Sequence, residues 1–152
     1  MKSELLEVAQ HPEVKNATYE KVRAASIADP MKFLGEWQAL INEQASEGQT
    51  DAVLALFNLR IKQIDSWDKR LCLSRHDDVS CDLNAALVNG HAELVEKALQ
   101  VNLAPTDFQE LFENENADAS LREIIVTTWT IFDDVECDEY LSEIGWSSSS
   151  GS

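Results

Sequence analysis

The stretch Ser120-Leu121-Arg122-Glu123-Ile124-Ile125-Val126-Thr127-Thr128-Trp129-Thr130-Ile131-Phe132 decides between two fold classes. Its second half is crowded with β-branched residues, which favour strands. Yet Leu121, Ile124, Ile125, Thr128 and Phe132 fall on one face at helical spacing, and Ser120 with Glu123 can form a capping box. Cap and stripe agree, so the stretch is expected to be a helix. Similar spacing recurs along most of the chain, and strict two-residue alternation is scarce. The expected class is all-α: a compact domain of six to eight helices joined as antiparallel hairpins.

Upstream, Thr106 with Gln109 suggests another capping box, opening a helix that buries Phe108, Leu111 and Phe112. Asp29-Pro30 reads as a helix start, since the Asp oxygen caps free amides and Pro at the first position gives up no hydrogen bond. Phe33, Leu34, Trp37, Leu40 and Ile41 then make one stripe. Thr50 is expected to cap a central helix facing the interior through Val53, Leu56, Phe57, Ile61 and Ile64, with Trp67 near its end. Residues 66–80, mixed in charge, read as a connection. A short last helix is expected around Asp138 to Ile144.

At 152 residues the chain can bury a core without a metal or disulfide staple. Residues 1–146 are expected to form one domain, and Ser147 to Ser152 a flexible Ser/Gly tail. The acidic start at Glu4 and Glu7 lacks the apolar run of a signal peptide. Cys72, Cys81 and Cys137 match neither a zinc ribbon nor a CxxC pair, so reduced thiols in a cytoplasm are expected.

Residues 83–105 carry Ala85-Ala86, Asn89-Gly90-His91, Glu93-Leu94-Val95, Leu99 and Ala104-Pro105. Gly90 can end one helix in a left-handed conformation, and Leu94, Val95, Ala98 and Leu99 make the next one amphipathic. These 23 residues resemble the helix-turn-helix half of an ankyrin repeat. A fainter copy surrounds Gly48, 42 residues before Gly90, an interval nearer to HEAT-type pairs. Val79-Ser80-Cys81-Asp82 stands where the opening turn signature of an ankyrin repeat would be. The resemblance implies a protein-binding scaffold without chemistry of its own, using the groove of its hairpins near Asn89 and His91.

Charge is the most uneven property of the sequence. Twelve Lys and Arg face 28 Asp and Glu, a formal net −16, which opposes direct binding to nucleic acid. Residues 106–146 hold 12 acids and one base, Arg122, for −11, against −5 for residues 1–105. Asp107, Glu110 and Glu113 are expected on one helix face, extended by Glu115 and Asp118. Beyond Phe132 come Asp133, Asp134, Glu136, Asp138, Glu139 and Glu143. Such density exceeds what solubility requires and suits a basic protein partner, with Trp146 as an aromatic anchor beside the patch. The expected function is to bind and block or shield a nuclease, toxin or DNA-binding protein, as inhibitors, immunity proteins or nucleic-acid mimics do. The alternatives are the repeat-like scaffold, a chaperone for a cationic client and, last, a small hydrolase.

Signals for chemistry are missing from the sequence. His11, His76 and His91 show no HExxH spacing, and no GxSxG or phosphate-binding glycine loop occurs. The Asp133 to Glu143 cluster lacks the central Gly and alternating ligands of an EF-hand. Paired acids such as Asp133 and Glu136, or His76 beside Asp77 and Asp78, lie in polar sequence, where carboxyls titrate as solvated groups. The expectation is no catalytic residue, no metal and no cofactor.

Overall fold

The computed structural model describes residues 2–59 and 80–146, so Ile61, Ile64, Trp67, Cys72, His76 and the Ser/Gly tail lie outside the described residues. Among the described residues the chain forms eight helices, as the periodicity predicts: α1 (Lys2–Gln10), α2 (Ala17–Ala28), α3 (Pro30–Ser46), α4 (Thr50–Leu59), α5 (Leu83–Val88), α6 (Ala92–Gln100), α7 (Phe108–Glu113) and α8 (Ala119–Ile144). Two short strands, β1 (Ser80–Cys81) and β2 (Ala104–Pro105), pair in parallel, Ser80 opposite Ala104 and Cys81 opposite Pro105.

The helices stack as successive hairpins. α3 packs on α4, α5 on α6 and α7 on α8; α3 lies against α5 and α5 against α7, while α4 lies against α6 and α6 against α8. At one end α1 covers α4 and α2 covers α3. The core runs through the stack, with Phe33, Trp37, Ile41, Val53, Leu56, Leu87, Val95, Ile125 and Trp129 almost wholly buried. Burial of that kind, about 25 cal/mol per Å² of apolar surface, is what holds helices too short to be stable alone. Trp37 also donates its Nε1–H to the Leu56 carbonyl at 3.0 Å, joining α3 to α4 inside the core.

The turns after α3, α5 and α6 share one design. Gly48 (φ 75°), Gly90 (φ 87°) and Asn102 (φ 62°) are left-handed. In each turn two amides reach back to the helix end: Gly48 to Ala45 and Gln49 to Gln44, Gly90 to Leu87 and His91 to Ala86, Asn102 to Leu99 and Leu103 to Ala98. These paired bonds close carbonyls the helix would leave open. The first two turns also touch, because a Cβ at Gly48 would lie 2.6 Å from Cε1 and Nδ1 of His91. His91 is therefore committed to packing between hairpins.

Side-chain amides stitch the layers together. Gln38 of α3 donates to the Ser80 carbonyl, and Asn42 accepts from the Asp82 amide at 2.9 Å. Asn114, just beyond α7, donates to Asn84 of α5 at 2.6 Å, and Asn116 donates to the Leu87 carbonyl at 3.2 Å.

Helix starts differ in detail from expectation. Asp29 caps α3 as expected, accepting from the Lys32 amide. For α7 the cap is Asp107, accepting from Glu110, and Thr106 stays outside the helix. Asp118, not Ser120, caps α8 by accepting from Leu121. Thr50 is the first helical residue of α4, with the Gln49 carbonyl accepting the Val53 amide, so Thr50 does not cap it. Carboxylates accept amide bonds more strongly than hydroxyls, which accounts for Asp prevailing over its Thr and Ser neighbours.

The expected last helix starts earlier than Asp138 and is an arm of α8. Asp133 (φ −154°, ψ 85°) breaks the helix into arms of residues 119–132 and 134–144, and its side chain caps the second by accepting from the Glu136 amide at 3.0 Å. The arms fold sharply against each other. Trp129 and Tyr140 have ring centroids 5.5 Å apart, although eleven residues of straight helix would span about 16 Å. Thr130 Oγ1 likewise lies 3.7 Å from the Sγ of buried Cys137.

Candidate functional site

The acidic final third is carried by α7 and by the second arm of α8. Phe112 receives the edges of Tyr140 at 5.8 Å and Trp146 at 5.5 Å, while Phe108 stacks on Trp129 at 5.6 Å. This aromatic seam fixes the second arm onto α7. Trp146, expected as an interface anchor, is half-buried in the seam.

Each of the eleven singled-out carboxylates belongs to an exposed residue, and none is within ion-pair distance of a cation among the described residues. The ion pairs lie elsewhere: Lys2 with Glu43, Lys21 with Glu4, Arg23 with Glu20, Lys97 with Glu93, and His11 beside Glu13. Arg122 donates to the Phe112 carbonyl at 3.1 Å, and its guanidinium lies 5.6 Å from the Phe112 ring centroid.

Hydrogen bonds divide these carboxylates into two groups. Asp107, Asp118 and Asp133 each hold a helix-starting amide. Glu110 accepts from Asn84 at 2.8 Å, Glu113 from the Tyr140 hydroxyl at 2.6 Å, and Glu136 from the Trp129 indole at 3.4 Å. Glu115, Asp134, Asp138, Glu139 and Glu143 have no hydrogen-bond or ion-pair partner among the described residues. Four of these five lie on the second arm of α8.

A cleft runs along the junction of α5 and α7. Its upper part, about 190 Å³, is lined by Asp82, Asp107 and Glu110 together with Thr106 and Pro105. Its lower part, about 380 Å³, is lined by Glu110, Glu113 and Glu115, with Val88 and the three asparagines. The cleft brings Asp107, Glu110, Glu113 and Glu115 beside α5, and its lining includes neither Asn89 nor His91, the positions expected to mark the hairpin groove. Asp82, Asn84 and Val88 were not singled out by sequence reasoning. The spacing Asp82 to Ala85 was the available signal for the first, and for the others there was none.

Burial, with Asp82 adding to it, pushes the Cys81 thiol up to about 12, and burial also raises Cys137. Burial and the hydrogen bond to Glu113 push Tyr140 up to about 12. No group of three or more His, Cys, Asp and Glu side chains among the described residues could hold a metal ion. No described helix is long and apolar enough to cross a membrane. The surface can attract and orient positive charge. Compared with known protein families, curated proteins and solved structures, the chain matches none.

Proposed function

We propose that this protein is an acidic binding module that engages a basic protein and blocks or shields its positive surface, as an inhibitor of a nuclease, toxin or DNA-binding protein would. The observation that carries this reading is a set of exposed carboxylates with no hydrogen-bond or ion-pair partner among the described residues: Asp134, Asp138, Glu139 and Glu143 on the second arm of α8, with Glu115 beside the cleft. Like charges held this close repel by a few tenths of a kcal/mol per neighbouring helical pair, and a cationic partner relieves that cost. Fixed carboxylates also steer encounter, so association should be fast and salt-sensitive.

The test uses poly-L-lysine as a probe and two triple reversals of equal charge. D134K/D138K/E139K changes the arm without touching the Asp133 cap, and E7K/E36K/E47K changes α1, α3 and the turn after α3. The arm variant should bind about tenfold more weakly at low salt, from exposed pairs contributing about 0.5 kcal/mol each. The remote variant should stay near wild type. Equal weakening by both would mean that net charge alone governs binding, and the reading fails.

A further inference from the structure

We propose that the bend in α8 is a docking surface for a cationic amphipathic helix, one that presents an apolar residue between lysines or arginines. This rests on the acidic-module reading and adds the apolar half of the contact. Ile131 and Val135 flank Asp133 with 63% and 67% of their surface exposed, among the most exposed large apolar side chains described. They stand out because their neighbours on the inner side, Trp129 and Cys137, are buried.

Among the described residues, Ile131 and Val135 belong to neither the buried core nor the residues packed against it. Both point away from the core, and polar residues there would leave the seam intact. The rim identifies the occupant. Helical spacing places Asp138 and Glu139 three and four residues after Val135, on its face, and Asp134 precedes it in sequence; none of the three has a hydrogen-bond or ion-pair partner among the described residues. An exposed apolar side chain with carboxylates on its helical face complements an apolar side chain flanked by positive charge. A second copy of this chain, at net −16, is the wrong complement. The bend is also preorganised, by the Asp133 cap, the Trp129 to Tyr140 contact and the Thr130 to Cys137 contact, so docking orders little that is loose.

Two synthetic helical peptides of equal positive charge test this by calorimetry on the full chain, one with leucines interleaved among its lysines, the other with glutamines there. The leucine peptide should bind about tenfold more tightly, and I131S/V135S should abolish that advantage while leaving the glutamine peptide unaffected. D134N/D138N/E139Q should weaken both peptides. Equal affinity for the two peptides, or an advantage that survives I131S/V135S, overturns the docking proposal and leaves the acidic-module reading standing. Failure of both peptides to bind at low salt overturns both. Sedimentation showing a wild-type dimer that I131S/V135S dissolves would assign the face to a second copy and also overturn the proposal.

Discussion

Replacing Gly48 by alanine separates two costs that coincide in one turn. The residue is left-handed at φ 75°, a conformation that costs a side-chain-bearing residue about 1 kcal/mol. The new Cβ would also lie 2.6 Å from two ring atoms of His91, so the imidazole must leave its place against the α3–α4 turn. Overpacking of this kind costs about 1 to 2 kcal/mol more. Gly90 provides the control: it is left-handed too, at φ 87°, but a Cβ there meets nothing within 4 Å. Urea denaturation followed by circular dichroism should therefore give Gly48→Ala a loss of about 2 to 3 kcal/mol and Gly90→Ala about 1, with unchanged urea dependence. Combining Gly48→Ala with His91→Ala should cost less than the sum of the single changes, because the clash can be removed only once. Equal losses for the two glycine variants, or strict additivity in the double variant, would refute contact between successive hairpin turns.

Further expectations concern the acids and the aromatic seam. Asp107→Ala should destabilise the chain by about 1 kcal/mol through loss of the α7 cap, whereas Asp107→Asn should keep stability while removing the charge; equal loss in both would mean that Asp107 acts by charge alone. Tyr140, raised to about 12 in the folded chain from an ordinary 10, adds stability that is fully present below pH 10 and declines as pH rises toward 12. Cys81, raised from 9 to about 12, adds to the same alkaline loss, so Tyr140→Phe should flatten the stability profile between pH 10 and 12 only in part. An unchanged profile in that variant would place the titrating group elsewhere.

Local chemistry was the legible part of this chain. The all-α class, the Phe33 to Ile41 stripe and the left-handed Gly90 each depend on a few neighbouring residues, and each stands as read. The starts of α7 and α8 were read to within a residue or two because Asp competes with Thr and Ser nearby, and the entry path of the chain decides which side chain reaches the free amide. The α8 bend was not legible. It depends on Trp129 meeting Tyr140, a contact that no periodicity encodes, although Asp133 three residues before Glu136 has the spacing of a cap. Counting acids located the charge but could not separate Asp107, Asp118 and Asp133, which hold backbone amides, from Asp134, Asp138 and Glu139, which have no partner among the described residues. That distinction requires knowing where each helix begins.

The small parallel ladder between β1 and β2 has a consequence for the order of folding. It closes residues 80–105 into a ring, which the Thr106 amide seals by donating to the Cys81 carbonyl at 3.1 Å. A loop of that size is cheap to close, and α5 and α6 inside it meet through near-neighbour contacts. The segment can thus order as a local unit and offer α5 and α6 as a seed on which α3, α4, α7 and α8 condense. Native-state hydrogen exchange would then find its slowest amides there.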